Sequence, residues 1–427
     1  MLEKKVCIIG AGSSGITATK ALHEANIDFD CFEKGSNIGG NWLYNNDNGV
    51  SSAYHSLHIN TSKQLMAFSD FPMPDDYPDY PGHQLIYTYF ENYINHFGFR
   101  DKITFNTSVD KIEKLAANHY LVYTDKFPPK EYSDVFIANG HHWSIKMPEF
   151  PGNFSGEILH SHHYKTYHHF QDKKVLIVGI GNSAVDIAGE LTTVSRSVTV
   201  STRSGAHILP KYLFGVPTDH LSKPPLAFAP LSIQRLALKL SLFLNVGNQT
   251  NYGLPKPKRK LLGEHPTISQ EFLNKVGHGK ISIKPNIAKL DGNMVYFEDG
   301  TSSYFDVIIY CTGYKIEFPF LPKELFNVEN NEMPLYEYTV DTQNPGLYHI
   351  GLIQPLGAVM PLAELQAVWI ANIISGKTKL PTKEFMQKWI TNNRNAMRKR
   401  FGNSTRHTLE VEFFPFMKKL KQLAKKA

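Results

Sequence analysis

Two glycine-rich turns of the same pattern occur in this chain, and they constrain its fold more than any other feature. The first is Gly10-Ala11-Gly12-Ser13-Ser14-Gly15 and the second is Gly179-Ile180-Gly181-Asn182-Ser183-Ala184. Each turn follows a short apolar run and opens an apolar-periodic stretch, which is the strand–turn–helix context of a dinucleotide-binding unit. Together they predict an α/β chain with two doubly wound Rossmann-like domains that pass electrons between two bound dinucleotides.

The first turn carries the features of an FAD or NAD site. Gly10 allows a tight turn after the strand, Gly12 allows the backbone to approach a pyrophosphate, and Gly15 allows close helix–strand packing. The phosphates are then expected at the N-terminus of the following helix. The next apolar strand, at 29–32, ends at Glu33, whose carboxylate would accept hydrogen bonds from a ribose and repel a 2′-phosphate. This unit is therefore predicted to bind FAD or NAD rather than NADP.

The second turn indicates a different cofactor. Ala184 replaces the third glycine, and the strand at 197–200 is not followed by an acid. Thr202 and Arg203 stand there instead, and a guanidinium forms paired, charge-assisted hydrogen bonds with a phosphate. This unit is predicted to bind NADPH. Asp186 is interpreted as a helix-start acid at that cofactor site rather than as a catalyst.

Composition excludes several other classes of function. The 427-residue chain has a net charge of +6, but five lysines lie in the C-terminal tail, at positions 418, 419, 421, 425 and 426. The other charges are interspersed, so no nucleic-acid partner is predicted.

Three cysteines without a C-x-x-C pair indicate a reducing compartment, and the N-terminus leaves no room for a signal peptide, so a cytoplasmic protein is expected.

Two apolar segments bear on membrane contact. Residues 226–246 are interrupted by proline and charged residues, so no transmembrane segment is predicted. The stretch is expected to form an amphipathic helix that covers a domain face, with contact to a membrane or partner as the alternative. In the tail, Met417, Leu420 and Leu423 indicate a short amphipathic helix that docks on the body or on an anionic surface. We expect this tail to be dispensable for turnover.

Further segments resemble the flavin-containing monooxygenases. They are Gly39-Gly40-Asn41-Trp42, Asn60-Thr61-Ser62-Lys63, and a proline- and aromatic-rich stretch at 68–78. The family's F-x-G-x-x-x-H-x-x-x-Y motif is matched at Phe154, Gly156, His160 and Tyr164. The Baeyer–Villiger branch of the superfamily ends this motif with tryptophan, so Tyr164 favours the branch that oxidises heteroatoms. The histidines from His160 to His169 lack the fixed spacing of a zinc site, and no metal is predicted.

The resemblance implies an organisation and a reaction. An FAD domain is expected at residues 1–165 and again at 291–427, with the NADPH domain, 166–290, inserted into it. NADPH would reduce FAD, and O2 would add to give a C4a-hydroperoxyflavin that oxygenates a small amine or sulfide. Asn60 is the residue that the resemblance places at the flavin as the catalytic residue.

The expected cofactor residues fall into two sets. For FAD they are Gly10, Ala11, Gly12, Ser13, Ser14, Gly15, Glu33, Lys34, Gly40, Asn41, Trp42, Asn60, Thr61, Val109 and Gln366. For NADPH they are Gly179, Gly181, Asn182, Ser183, Ala184, Asp186, Thr202 and Arg203.

Two alternative functions stay open at this point. One is Baeyer–Villiger oxygenation of ketones, and the other, from a different class, is a redox sensor that binds FAD without turnover. A pyridine nucleotide-disulfide reductase would need a redox cysteine pair, which the sequence lacks. The physiological substrate is not readable from the sequence. The oligomeric state is open between a monomer and a homodimer.

Overall fold

The chain divides into two compact units. The computed structural model describes residues 4–116, 119–263, 265–328, 333–401 and 408–425, so Lys426 of the basic tail and the first three residues lie outside the described part. The first unit comprises Met1–Ala53, Leu57–Ser144 and Lys315–Ala427, and the second comprises Tyr54–Ser56 and Ile145–Tyr314.

The first stretch of the first unit contains the first glycine turn and most of a parallel sheet. Its strands are β1 (Lys5–Ile9), β2 (Asp28–Phe32), β3 (Ile103–Thr104), β4 (Val109–Lys114), β5 (Tyr120–Thr124), β6 (Lys130–Tyr132) and β7 (Asp134–Ile137). Its helices are α1 (Ser13–Glu24), α2 (Lys63–Met66) and α3 (His83–Phe97). Strand β1 is an almost unbroken apolar run because it lies in the middle of a sheet that is buried on both faces.

The second unit repeats this plan around the second glycine turn. After β8 (Ser144–Ile145), its strands are β9 (Gly152–Phe154), β10 (Glu157–His160), β11 (Lys174–Val178), β12 (Ser197–Ser201), β13 (Ile208–Leu209), β14 (Tyr212–Leu213), β15 (Val216–Pro217), β16 (Thr267–Ile268), β17 (Ile281–Lys284), β18 (Ile287–Gly292), β19 (Met294–Phe297), β20 (Ser302–Tyr304) and β21 (Val307–Tyr310). Its helices are α4 (Asn182–Leu191), α5 (Leu231–Asn245) and α6 (Phe272–Gly277). The main sheet has the order β10-β21-β11-β12-β17, and all its pairs are parallel.

The chain then returns to complete the first unit. The strands are β22 (Tyr314–Lys315), β23 (Leu335–Tyr336), β24 (Val340–Asp341), β25 (Leu347–His349), β26 (Gln354–Leu356) and β27 (Glu410–Glu412), and the helices are α7 (Met360–Ile374), α8 (Lys383–Phe401) and α9 (Phe413–Lys425). The first sheet has the order β23-β24-β25-β7-β1-β2-β3, in which only the β23–β24 and β24–β25 pairs are antiparallel.

This architecture confirms the predicted fold of two doubly wound units, one inserted into the other. The inserted unit is longer at both ends than the predicted 166–290. The reason is that β21 pairs in parallel with both β10 and β11, so the strands that flank the predicted insertion belong to the second sheet. Sequence shows that a strand is buried, but it does not show which sheet the strand joins.

The C-terminal tail is an integral part of the first unit. Helix α9 buries Phe416, Leu420 and Leu423. The side-chain amide of Asn372 on α7 donates a 2.9 Å hydrogen bond to the Ala424 carbonyl oxygen. The predicted amphipathic helix docked on the body is therefore confirmed. Removing residues 418–427 would take Leu420 and Leu423 out of this core, so the structure does not support the expected dispensability of the tail.

No helix within the described residues is both long enough and apolar enough to cross a membrane.

Candidate active site

The first glycine turn depends on Gly10 and Gly15 for its own fold. Gly10 has a φ of +98°, and a Cβ there would lie 2.9 Å from the carbonyl oxygen of Ala138. A Cβ on Gly15 would lie only 1.8 Å from the carbonyl oxygen of Gly10. Either side chain would force strand, turn and helix apart, so these two glycines are structural requirements whatever the unit binds.

Gly12 is different, because the protein leaves room beside it. Its φ of −73° and ψ of −170° are extended backbone that any residue adopts. A Cβ there would approach only Gly40, at 3.4 Å from its Cα and 3.8 Å from its nitrogen. The space next to Gly12 lies at the N-terminus of α1, where the first helical N–H groups have no intrahelical acceptor. This is a cradle that suits a pyrophosphate and that a side chain would fill.

A second glycine pair forms the opposite wall of this cradle. The Gly39 amide donates a 3.0 Å hydrogen bond to the Ala11 carbonyl oxygen, which ties the two loops together. Gly40 has a φ of +52°, and a Cβ on it would lie 2.9 Å from the Cα of Gly12. The two loops therefore face each other as bare backbone. Ala11 itself is fully buried, so it can only support the turn and cannot touch a ligand.

Asn41 and Trp42, which follow the pair, are mainly structural. The Asn41 side-chain oxygen accepts hydrogen bonds from the Ser52 amide at 2.8 Å and from the Ser52 hydroxyl at 2.7 Å. Both lone pairs of that oxygen are thereby used, which leaves only its NH2 group for a cofactor. Trp42 is half-buried and packs against the core of the first unit.

Glu33 lies at the end of β2 and ties three loops together. Its carboxylate accepts hydrogen bonds from the Ala11 amide at 2.7 Å, the Gly35 amide at 2.8 Å and the Asn48 side-chain amide at 3.1 Å. A carboxylate has about four acceptor positions, so about one remains for a ribose hydroxyl. Sequence reasoning assigned Glu33 to the ribose alone and missed its role in fixing the glycine turn.

Two other predicted FAD residues, Lys34 and Val109, lie near Glu33 along the chain or next to a segment that is hydrogen-bonded to it. The Thr107 amide donates a 2.8 Å hydrogen bond to the Glu33 carbonyl oxygen, and Val109 begins β4 two residues later. Lys34, directly after Glu33, is exposed. The contact of either residue with FAD stays a prediction.

The second glycine turn has the same construction with one difference. Gly179 has a φ of +124°, and a Cβ there would lie 2.6 Å from the Cys311 carbonyl oxygen. Gly181 is extended, with a φ of −80° and a ψ of −178°, and α4 begins after it at Asn182. The Asn182 side-chain oxygen accepts a 2.7 Å hydrogen bond from the Ile268 amide, which ties β16 to the turn. Ala184, at the third position of the motif, lies in α4 and is fully buried, so it supports the turn without reaching its surface.

Strand β12 is followed by the cation Arg203, whereas the corresponding strand of the first unit is followed by a carboxylate. The Thr202 hydroxyl is occupied by the Ser204 backbone, to whose carbonyl oxygen it donates at 2.5 Å. Arg203 is exposed and forms no hydrogen bond or ion pair with the residues that the structure describes. A free guanidinium beside a glycine turn is the group that a 2′-phosphate requires.

Asn60 is held in place by backbone contacts on both sides. The Ile59 amide donates to the Pro81 carbonyl oxygen at 3.1 Å, and the Lys63 amide donates to the Asp79 carbonyl oxygen at 2.8 Å. The side-chain oxygen of Asn60 is buried, and no described residue donates a hydrogen bond to it. A buried acceptor without a donor is costly, so this atom is suited to a ligand that brings its own N–H or O–H.

Comparison with known proteins decides the family. The family model described as "Flavin-binding monooxygenase-like" matches residues 3–426. Flavin-containing monooxygenase 5 of Rattus norvegicus is 36% identical over 445 residues, covering 99% of this chain and 83% of the relative. Dimethylaniline monooxygenase [N-oxide-forming] 2 of the same species is 34% identical over 440 residues, covering 98% and 82%.

This chain belongs to the flavin-binding monooxygenase family.

The fold agrees with this assignment. The solved S-allyl-L-cysteine S-oxygenase of Allium sativum is 24% identical and superposes with a TM-score of 0.75, over 99% of this chain and 89% of that one. The chain is therefore a flavin-dependent monooxygenase, as its sequence motifs predicted. The cradle at Gly12, the remaining acceptor of Glu33 and the unpartnered oxygen of Asn60 are all compatible with a bound flavin.

The family motif has a structural explanation in the second unit. The His160 ring nitrogen Nδ1 accepts a 3.1 Å hydrogen bond from the His162 amide, and burial lowers the pKa of His160 to about 4. His160 is therefore a neutral hydrogen-bonding residue. The Tyr164 hydroxyl donates a 2.5 Å hydrogen bond to the Glu190 carboxylate on α4, and burial raises the pKa of Tyr164 well above its usual value. A tryptophan at position 164 would have no hydroxyl to donate.

Asp186, one turn before Glu190 on α4, makes a similar contact. The Tyr54 hydroxyl donates to its carboxylate at 3.0 Å, and the Tyr54 and Tyr164 rings meet edge to face with their centroids 5.9 Å apart. Asp186 also favours the charged form of Lys211, although burial lowers the pKa of Lys211 to about 8. Asp186 thus positions α4 through Tyr54, a contact across 132 residues of sequence that no local pattern indicated.

Gln366, which is predicted to contact FAD, has no exposed surface in the structure. It is fully buried on α7, where its side-chain oxygen accepts a 2.9 Å hydrogen bond from the Gly351 amide and its NH2 group donates at 2.8 Å to the Thr339 hydroxyl. A side chain without exposed surface cannot touch a ligand. Gln366 instead holds Gly351 against the first turn, where a Cβ on Gly351 would lie 2.0 Å from the Ser14 hydroxyl oxygen.

Sequence reasoning missed the residues that fix the loop at 68–78. The buried Lys63 ammonium donates to the carbonyl oxygens of Pro74 at 3.1 Å, Asp75 at 2.7 Å and Tyr77 at 2.5 Å. At the other end of the loop, the Glu364 carboxylate accepts from the Ser69 amide at 2.8 Å and hydroxyl at 3.0 Å, and burial raises the pKa of Glu364 to about 7. The match of Lys63 to the family motif was the available signal.

No group of three or more histidine, cysteine, aspartate or glutamate side chains suited to a metal ion occurs in the described part of the chain.

Proposed function

We propose that this monooxygenase uses NADPH and O2 to transfer one oxygen atom to a soft nucleophile, the nitrogen of an amine or the sulfur of a sulfide. One observation carries the cofactor assignment. The strand that follows each glycine turn ends in a group of opposite charge, the buried Glu33 carboxylate in the first unit and the exposed Arg203 guanidinium in the second. A carboxylate repels a 2′-phosphate and a guanidinium attracts one, so FAD belongs to the first turn and NADPH to the second.

FAD would be held mainly by backbone. Its pyrophosphate would take the space beside Gly12, and the free amides of Ser13 and Ser14 at the start of α1 would donate to it. The adenosine ribose would use the acceptor that Glu33 has left. Bound FAD, once reduced by NADPH, activates O2 for transfer of one oxygen atom to the substrate and release of the other as water.

Asn60 would act at the reacting end of the flavin. Its buried side-chain oxygen has no donor among the described residues, and its backbone is fixed by hydrogen bonds at Ile59 and Lys63. A fixed amide can accept from an N–H or O–H group there without any rearrangement, and such preorganised contacts are most valuable where charge or protons move. The Lys63 and Glu364 contacts hold the neighbouring loop in place, and a fixed loop would limit the access of water to this end.

The substrate class is inferred from the family motif and from the names of similar proteins. Tyr164 ends the family motif, as in the branch that oxidises heteroatoms, and the names of two similar proteins specify N-oxide formation and S-oxygenation. Oxygenation of ketones is the second candidate.

We propose the cytoplasm as the place of action, because Cys7, Cys31 and Cys311 are all free thiols. Light scattering of the purified protein would decide between monomer and homodimer.

The experiment is a substrate screen with identified cofactors. The flavin of the purified protein would be released and identified by chromatography, and O2 uptake would be measured with NADPH or NADH over amines, sulfides and ketones. The proposal expects FAD, faster uptake with NADPH, and turnover of amines or sulfides. Turnover of ketones alone would favour the second candidate, and flavin without turnover of any class would favour a redox sensor.

A further inference from the structure

A second segment of the chain lies directly alongside the residues that follow β12. Gly205 forms a parallel bridge with Pro257, and a Cβ on Gly205 would lie 1.8 Å from the Pro255 carbonyl oxygen. The His207 ring nitrogen Nε2 donates a 2.9 Å hydrogen bond to the Arg259 carbonyl oxygen, a contact across 52 residues of sequence. Only glycine leaves room for this approach, so the fold itself fixes the two segments against each other.

This second segment carries positive charge only. It comprises residues 255–260, with the sequence Pro-Lys-Pro-Lys-Arg-Lys, and we call it the basic segment. Lys256 and Lys258 are exposed and form no hydrogen bond or ion pair with the residues that the structure describes. The sequence from 191 to 263 contains a single acid, Asp219, so neither the basic segment nor the stretch after β12 has a carboxylate of its own.

The group that distinguishes NADPH from NADH needs more than one cation. A phosphate monoester carries a charge of about −1.5 to −2 at pH 7 and has three strong acceptor oxygens. Arg203 supplies one positive charge. Lys256 and Lys258 flank Pro257, whose bridge to Gly205 places them beside the stretch that contains Arg203, and the flexible four-carbon stem of lysine lets its ammonium reach a neighbouring segment.

We propose that Lys256 and Lys258 complete the site for the NADPH 2′-phosphate that Arg203 begins. The basic segment, which lies outside the βαβ unit, would then help to set the preference for NADPH over NADH. The contacts at Gly205 and His207 hold unpaired cations close to an unpaired guanidinium, and like charges brought together repel each other until an anion binds between them. This inference rests on the proposed assignment of NADPH to the second unit.

The test compares two nucleotides that differ only in the 2′-phosphate, adenosine 2′,5′-bisphosphate and 5′-AMP. Their affinities for the FAD-loaded protein would be measured by calorimetric titration. In the double variant Lys256→Gln, Lys258→Gln the affinity for the bisphosphate should fall about tenfold, since each exposed ion pair contributes up to about fivefold, and the affinity for 5′-AMP should stay nearly unchanged. The variant Lys256→Arg, Lys258→Arg keeps both charges and should retain most of the parent's affinity for the bisphosphate.

A matched control removes two other exposed lysines of the same unit. Lys239 lies on α5, and Lys280 precedes the start of β17, whose other end pairs with the end of β12. Lys239→Gln with Lys280→Gln changes the net charge by the same amount and should leave both affinities nearly unchanged, because a distant exposed charge is screened by salt.

Three results would overturn the inference: an unchanged affinity for the bisphosphate in the variant Lys256→Gln, Lys258→Gln, an equal loss for both nucleotides, or an equal loss in the control. The variant Arg203→Ala separates this failure from a failure of the cofactor assignment. If Arg203→Ala alone weakens binding of the bisphosphate, NADPH stays assigned to the second unit and only the role of the basic segment is wrong. A parent protein that binds both nucleotides equally would contradict the cofactor assignment and the inference together.

Discussion

Replacing Gly12 by alanine separates the fold of the first glycine turn from its ligand. The new Cβ would meet Gly40 at 3.4 Å, an ordinary to slightly tight contact, and the φ of −73° is open to alanine. We therefore expect the unfolding free energy of the apoprotein to change by no more than about 1 kcal/mol. In the holoprotein the same methyl would occupy the space assigned to the pyrophosphate. Overpacking costs about 1–3 kcal/mol, which corresponds to a roughly five- to hundredfold weaker affinity for FAD.

The assay is calorimetric titration of apoprotein with FAD, together with thermal unfolding of the same samples. Two control variants are measured in the same way, one in a glycine that the fold requires and one in a glycine with free space around it. Gly15→Ala, whose Cβ would lie 1.8 Å from the Gly10 carbonyl oxygen, should destabilise the apoprotein itself. Gly189→Ala, within helix α4, meets no atom within 4 Å and should leave the FAD affinity unchanged while raising the unfolding free energy by about 0.5–1 kcal/mol. A Gly12→Ala protein that binds FAD as tightly as the parent would refute the cradle, and one that unfolds like Gly15→Ala would show that Gly12 is a structural glycine.

Three other variants test separate parts of the account. Arg203→Ala should lower kcat/KM for NADPH about ten- to hundredfold and leave kcat/KM for NADH nearly unchanged, since the lost contact is a charged hydrogen bond to the 2′-phosphate. Equal losses with both cofactors would contradict the assignment of NADPH to this unit. Asn60→Ala should retain FAD and the parent's rate of flavin reduction by NADPH but release hydrogen peroxide in place of product. A full yield of product per NADPH would show that Asn60 only supports its loop. For Glu337→Gln we expect a different pH dependence of the unfolding free energy. Burial raises the pKa of Glu337 from 4.5 to about 7, so the parent loses stability as the pH rises from the lower to the higher of these values and the loss is complete above pH 7. The variant should gain up to about 3 kcal/mol relative to the parent between pH 5 and pH 8 in urea unfolding, and parallel stability curves would contradict this.

The parts of the site that could be predicted from sequence are those built from neighbouring residues. Each βαβ unit contains a glycine turn, the strand before it and the charged residue at the end of the next strand. Gly10 and Glu33 in the first unit and Arg203 in the second could therefore be identified from the sequence. The sequence pattern also predicts different roles for Gly12 and Gly15, and the structure agrees, because Gly12 leaves room for a ligand whereas the fold requires Gly15. That distinction depends on the close approach of Gly40 and of the Gly10 carbonyl oxygen.

The parts that could not be predicted depend on contacts between distant segments. Ser69 and Glu364 are 295 residues apart, and Tyr54 and Asp186 are 132 residues apart. Gln366 is a different case, because the family resemblance predicts contact with FAD while the structure buries its side chain completely. Similarly, β21 reads as a buried strand in sequence, but only its pairing with β10 and β11 assigns it to the second unit.

Labelling with 18O2 identifies the source of the oxygen atom in the product. The purified enzyme would be supplied with NADPH, 18O2 and a thioether or tertiary amine, and the product would be analysed by mass spectrometry. The account predicts one 18O atom in each sulfoxide or N-oxide, with one NADPH consumed per product. Unlabelled product, or NADPH consumption that appears entirely as hydrogen peroxide under every substrate, would contradict the assignment of this chain as an oxygenase of soft nucleophiles.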